Sequence, residues 1–350
     1  MNRLILLFYA AQAFCKTCRA LLFQNKTDRT IKKIKFFSAA LRTGCFNRRK
    51  WLIGAYAAID YFFDLYTVFF NPPVLNNMPL VIALTERLYK ETAAWEIMPE
   101  LAGHEHIILT TMHSRLLYFN VIVLFFALAR RDCIIYAIGY DNFLRGMIER
   151  KIFIRQNNYF YALSPEIKKT YALQGDINIA LISERYNNAA GDVFSAIKED
   201  IHKKKFIFAA SDIAISPPKH KKNTFTFLNV DIAPKRGVSF FQRRFQCPVM
   251  YFRLGGSLRN RCIAEYAVFP YRQEEDTLLP QLYALFERHI KKRPLHWTNW
   301  TNFLTMQVEP PLAAGYKKEK IYFRTQLRSP SGFLQCIAVT ESGRLLIRHA

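Results

Sequence analysis

Apolar positions along the chain fall into short continuous runs set between polar, charged and Gly/Pro punctuation. The run His106-Ile107-Ile108-Leu109-Thr110-Thr111-Met112 reads as a buried strand. Residues 114–131 read as a helix, Cys133-Ile134-Ile135-Tyr136-Ala137-Ile138 as a second strand and residues 142–150 as another helix. Alternating strands and helices imply parallel strands joined by crossovers. The rhythm resumes with a helix over 192–204 and the strand Phe206-Ile207-Phe208-Ala209-Ala210, which stops at Ser211-Asp212. Residues 216–222, with Pro217, Pro218 and His220, read as a loop. A helix over 237–245, a strand over 249–254, a turn at Gly255-Gly256, a strand over 263–269 and an amphipathic helix over 274–292 follow. Beyond Trp300 the pattern shortens to strands, with a hairpin around Thr340-Glu341-Ser342-Gly343.

The expected fold is therefore α/β: a mostly parallel central sheet flanked by helices. Residues 1–99 read as mainly helical, broken at Asn71-Pro72-Pro73. The expected organisation is an amphipathic segment over 1–30, an α/β domain over 31–300 and a small β-rich extension over 301–350. No internal repeat is visible.

Charge adds a partner to this picture. The 350 residues carry 50 Lys+Arg against 27 Asp+Glu, a net +23, and 30 are Phe. Such a balance selects anionic partners: nucleic acid, an anionic membrane surface or an acidic protein. Residues 1–50 alone hold +11, residues 51–150 hold −3 and the remainder +15. The basic N-terminus is also apolar, with Leu4-Ile5-Leu6-Leu7-Phe8-Tyr9-Ala10-Ala11 followed by Phe14. Its apolar run is far below the ~20 residues a membrane span needs. An amphipathic helix in the membrane interface fits best, with basic residues at anionic headgroups. The competing readings are a signal peptide, with Ala11-Gln12-Ala13 as a small-x-small site, and an ordinary packed helix.

The longest apolar stretch, residues 116–129, is broken by Asn120 and is also too short for a span. Membrane contact is expected to be peripheral. Seven scattered cysteines, an odd count, suggest reduced thiols. Cys15-Lys16-Thr17-Cys18 is a lone CxxC without a second pair. No metal site and no resident cofactor are expected.

In a parallel sheet, ligands bind at the carboxyl ends of strands. Three polar groups stand at such ends: His113, Asp212 and Arg253. His113 directly follows an apolar strand and precedes Ser114, a suitable helix N-cap. His104-Glu105-His106 invites a metal reading but lacks a third ligand at a convincing spacing. Ser114 does not sit in a nucleophile elbow. Basic clusters at His202-Lys203-Lys204-Lys205 and Lys219-His220-Lys221-Lys222 suit an acidic donor protein, anionic lipid or plain solubility. No nucleic-acid recognition module is present, so nucleic acid is not an expected partner.

The chain resembles the bacterial lipid A late acyltransferases (lauroyl and myristoyl transferases), within the lysophospholipid acyltransferase superfamily. The resemblance covers roughly residues 31–300 and rests on block order. Its first block is His113-Ser114-Arg115-Leu116-Leu117-Tyr118, where the family places a His and, five residues later, Glu or Asp. A basic position follows, matched by Arg150 with Arg155 as the alternative, and then the strand ending in Asp212. Next come an aromatic strand, Phe225-Thr226-Phe227-Leu228-Asn229, a Gly-started helix from Gly237 and a Pro-Val strand, Cys247-Pro248-Val249-Met250-Tyr251-Phe252-Arg253. The closing helix runs into Arg293-Pro294-Leu295-His296-Trp297. Tyr118 stands where the family has its acid, and Arg115 where a Gly is usual.

The resemblance implies a glycerolipid-acyltransferase-like fold and transfer of a fatty acyl group from a thioester to a hydroxyl or amine. The donor would be an acyl carrier protein or coenzyme A thioester, and the acceptor a lipid or glycolipid, as in lipid A biosynthesis. The place would be the cytoplasmic face of the inner membrane. His113 would be the general base. Tyr118 would orient it through its phenol oxygen, and Asp212 is the better-placed substitute carboxylate. Arg115, Arg150, Arg155 and Arg253 are the candidate substrate-binding cations. The Tyr118 departure motivates a second expectation: a non-catalytic relative that binds acyl chains or a partner protein.

Overall fold

The computed structural model describes residues 98–114, 133–138, 151–156, 160–170, 177–182, 204–211, 224–234, 236–255, 263–272, 277–294, 300–303, 321–328, 334–340 and 345–349, with 35, 36, 38–45 and single positions elsewhere. Within the central sheet the strands are β1 (His106–Thr111), β2 (Cys133–Ile138), β3 (Phe153–Arg155), β4 (Phe160–Leu163), β5 (Ile177–Ile182) and β6 (Lys204–Ala210). A small hairpin, β7 (Phe225–Phe227) and β8 (Val230–Ile232), precedes β9 (Val249–Gly255) and β10 (Ile263–Phe269). The chain ends in β11 (Ile321–Arg328), β12 (Leu334–Thr340) and β13 (Leu345–His349). The helices delimited among the described residues are α1 (Pro165–Thr170), α2 (Gly237–Phe245), α3 (Leu278–Lys292) and α4 (Trp300–Phe303).

Eight strands form the main sheet in the order β10-β9-β1-β6-β2-β5-β4-β3. Strands β9, β1, β6, β2 and β5 run parallel, while β10 at one edge and β4 and β3 at the other pair antiparallel. The architecture is α/β with a mostly parallel centre. Strand β1 lies between β9 and β6, with Thr110 level with Tyr251 on one side and Ala209 on the other. Strands β11, β12 and β13 make a separate three-stranded antiparallel sheet, as the hairpin signal near the end of the chain led one to expect.

Burial explains the continuous apolar runs. Strand β1 is buried from Ile107 to Thr111, so polar alternation has no place there. One face of the sheet carries Ile108, Ile207 and Val249 against Val238 of α2 and Leu278 of α3. Toward the carboxyl ends, that core continues as Met112, Tyr251, Leu282, Phe286, Ile290, Trp297 and Trp300. Leu278, Leu282, Phe286 and Ile290 repeat every four residues, which gives α3 its buried stripe. The α3 helix stops where Arg293 N–H donates to the His289 carbonyl (3.0 Å) and Pro294 follows. Helix α2 ends on Gln246 in the left-handed region, φ 48°, just before Pro248.

The hairpin between β7 and β8 turns on Leu228 (φ 50°) and Asn229 (φ 62°), a primed-type pair. Asn tolerates this backbone and Leu does not favour it. Tertiary bonds hold it: Leu228 N–H donates to Glu287 Oε2 (3.1 Å), and Asn229 Nδ2 donates to the Thr43 carbonyl (2.8 Å).

Among the described residues, positions 11, 15, 35, 36, 38–43, 79, 82, 86 and 90 are helical, in line with a helical beginning of the chain. Position 148 of the expected 142–150 helix is helical; the rest of that helix, most of the 1–30 segment, residues 192–203 and the loop at 216–222 lie outside the described residues. Ser114 is in a bridge, whereas 121, 123, 124, 127 and 128 of the expected 114–131 helix are helical and buried. Lys204 belongs to β6 rather than to a preceding helix. Among the described residues no helix is long and apolar enough to cross a membrane.

Candidate active site at the carboxyl edge of the sheet

The topology defines a switch point. The chain leaves β1 and re-enters the parallel sheet at β2, beyond β6; it leaves β6 and re-enters at β9, beyond β1. These two crossovers run in opposite directions. Right-handed connections, the general rule, would carry them over opposite faces. In open α/β sheets that arrangement marks the carboxyl ends of the two strands, here β1 and β6, as the place where a ligand is expected.

His113 stands there, two residues past the last residue of β1, and is half-buried. Its neighbour Ser114 forms an isolated antiparallel bridge with Trp297. Trp297 is itself fixed in an aromatic nest: its ring lies 4.8 Å from Trp300, 5.7 Å from Phe303 and 6.0 Å from Phe227, between centroids. Trp300 Nε1 donates to the Pro294 carbonyl at 2.8 Å. The run after α3 thus anchors the backbone next to His113.

The end of β6 is pinned as firmly. Thr110 Oγ1 donates to the Ala209 carbonyl (2.8 Å) and pairs with the Ser211 hydroxyl, and Tyr283 Oη donates to the Ser211 carbonyl (2.7 Å). Asp212, the expected substitute carboxylate, follows directly in sequence and lies outside the described residues, as do Tyr118, Arg115 and Arg150.

Arg253 is on the neighbouring strand β9 and is 6% exposed. Glu265 of β10 is its cross-strand partner, with Arg253 Nε 4.0 Å from Glu265 Oε2. His289 of α3 brings Nδ1 to 3.4 Å from the same oxygen, and Tyr251 stacks on the His289 ring at 5.7 Å. Burial, then the charge of Arg253, holds the His289 imidazole below its usual value, against the pull of Glu265. His113, just past β1, and Arg253, two residues before the end of β9, therefore lie on neighbouring strands.

Arg155 is not brought to them. It is exposed on β3, the far edge strand, five strands from β1. At about 4.8 Å per strand that is roughly 24 Å away. Glu105 also stays away, at the amino end of β1, where it pairs with Lys205. Among the described residues no group of three His, Cys, Asp or Glu side chains is arranged to hold a metal ion.

Glu265 and His289 were not candidates from sequence. A signal for Glu265 exists: it is the one charged residue in the strand Ile263–Phe269, across a Gly-Gly turn from Arg253. His289 sits in a basic helix end with no pattern to single it out.

Neither a protein-family model nor a curated protein sequence matches the chain.

Proposed function

We propose that the chain is a membrane-associated acyltransferase, moving a fatty acyl group from an acyl carrier protein or coenzyme A thioester to a hydroxyl or amine of a lipid or glycolipid. The observation that carries the reading is the place of His113: a half-buried imidazole at the carboxyl end of a central parallel strand, at the crossover switch point. In this reaction His113 takes the acceptor's proton as the acceptor oxygen or nitrogen attacks the thioester carbonyl. The tetrahedral oxyanion collapses, the C–S bond breaks and the thiolate leaves with the proton from His113. Arg253, near the end of the neighbouring strand, serves the anionic part of a substrate or the oxyanion. Asp212 and Tyr118 keep the supporting roles that the resemblance implies, and the finer likeness to the lipid A late acyltransferases rests on the order of the sequence blocks. The basic, apolar 1–30 segment would hold the protein at the cytoplasmic face of the inner membrane.

The test is label transfer. Purified protein is incubated with radiolabelled acyl carrier protein or acyl coenzyme A and a membrane lipid extract. His113→Ala should lower transfer by about 10²–10⁴-fold, the span of a general base. Full transfer by that variant sinks the reading. Binding of the acyl donor without any transfer supports the non-catalytic alternative.

A further inference from the structure

The Arg253–Glu265–His289 cluster is built of three charged or chargeable groups that approach one another without closing a hydrogen bond. Arg253 offers five N–H donors. Among the described residues its guanidinium meets one carboxylate, at 4.0 Å, beyond hydrogen-bond reach. Glu265 Oε2 is a buried atom with no hydrogen-bond partner among the described residues. A cation that is 94% withdrawn from water ordinarily has acceptors in contact. Here the Nε side faces Glu265, which leaves the two terminal nitrogens as a fork for a bidentate acceptor.

The charges acting on His289 are mostly positive. Arg288 and Lys292 of α3 both act on His289 and are exposed at the same end of the helix. One carboxylate does not balance Arg253, Arg288 and Lys292. We propose that Arg253 forks onto a tetrahedral oxyanion of the phosphate class, in a subsite where Glu265 is the resident counter-charge and His289 the proton-dependent supplement. The subsite deepens the role given to Arg253 above, and its test needs no acyl transfer.

The sign of each group follows. Arg253 attracts the anion. Glu265 opposes it and keeps the empty subsite from carrying a bare buried cation. His289 adds attraction when it takes a proton, which burial and the charges of Arg253, Arg288 and Lys292 defer to lower pH and Glu265 favours. A structural Glu265, by contrast, would weaken the site when removed.

Sulfate is the probe, since its charge is constant across the range of imidazole titration. Binding to the full chain is measured by calorimetry at pH 8 and pH 5.5. The wild type should bind more tightly at pH 5.5, and His289→Gln should flatten that difference. Arg253→Gln should weaken binding at least 10-fold, with Arg253→Lys in between because it keeps charge and loses the fork. Glu265→Gln, on a partly exposed edge-strand side chain, should tighten binding several-fold at pH 8. Equal sulfate affinity in Arg253→Gln, or weakened affinity in folded Glu265→Gln, overturns the proposal. Displacement of sulfate by coenzyme A places the phosphate on the donor; displacement by phosphatidylglycerol vesicles places it on a lipid headgroup. Unchanged sulfate affinity in Arg253→Gln beside intact His113-dependent transfer removes this inference and leaves the acyltransferase reading standing.

Discussion

The two edges of the central sheet each carry a cation, a carboxylate and an imidazole, and they use them differently. At the amino edge, Lys205 is 2% exposed and its ammonium is paired directly with Glu105. Lys205 N–H also donates to the Glu105 carbonyl (2.8 Å), which ties β6 to the start of β1. His106 stacks flat on Phe245 of α2 at 4.7 Å. At the carboxyl edge, Arg253, Glu265 and His289 stay 3.4–4.0 Å apart. The same kinds of charge form a fastener where the ion pair closes, and stay open where we propose an anion binds. Charge alone does not separate the two; the distance between the groups and the fork of Arg253 against the point charge of Lys205 do.

The comparison can be broken from either side. The largest stability effect should come from removing the floor beneath the carboxyl edge. Trp297→Ala empties a fully buried site and should cost about 3–5 kcal/mol in denaturant unfolding. It should also lower His113-dependent transfer in whatever fraction stays folded, because the indole packing that holds the backbone opposite Ser114 in place is gone. A smaller effect belongs to the amino edge. Glu105→Ala leaves the buried Lys205 ammonium without its carboxylate and should cost about 2 kcal/mol, with no change in sulfate affinity. Glu265→Gln should do the reverse: shift anion binding while costing under about 1 kcal/mol of stability. An amino-edge variant that altered anion binding would dissolve the contrast between the edges.

The smallest effect is one of pH. Burial holds the His106 imidazole below the usual 6.5, so it is neutral in the folded chain where the unfolded chain already takes a proton. The unfolded state then binds more protons, and stability falls as pH drops from about that value toward the lower folded one. His106→Phe should remove part of that acid-side loss, read as a flatter plot of unfolding midpoint against pH. Glu105 works in the same direction at lower pH. Its hydrogen bond from Lys205 holds the carboxyl below its usual value, and that stability is lost only as pH falls through the carboxylate range.

Much of the sheet was legible because its central strands are buried on both faces. Continuous apolar runs at 107–111, 133–138 and 206–210 leave little room for another reading, and the helix over 237–245 matched its bounds. The antiparallel edge formed by β3 and β4 was not legible, whereas the β10 edge was. Phe153–Arg155 and Phe160–Leu163 are three and four residues long, too short for an alternation to register, and α1 has no buried residue to set a period. The β7–β8 hairpin hid in what reads as one aromatic strand. Its turn residues, Leu228 and Asn229, take their backbone from distant partners rather than from local preference. His113 and Arg253 were read near strand ends because strand ends are visible in sequence. Glu265 and His289 were not, because their meaning lies in pairing across β10 and α3, which no local window contains.

The hydrogen bond from Asn229 to the Thr43 carbonyl joins positions 186 residues apart. Translation runs at about 5–20 residues per second, so the Thr43 segment emerges roughly 10–40 s before the turn that will hold it. Phe36, whose ring meets Trp300 at 6.1 Å, waits longer still. Through that interval the apolar side of this early helical stretch has no native cover. Whatever surface shelters it first, lipid or chaperone, gains its hold during synthesis, before the sheet that later claims it has closed.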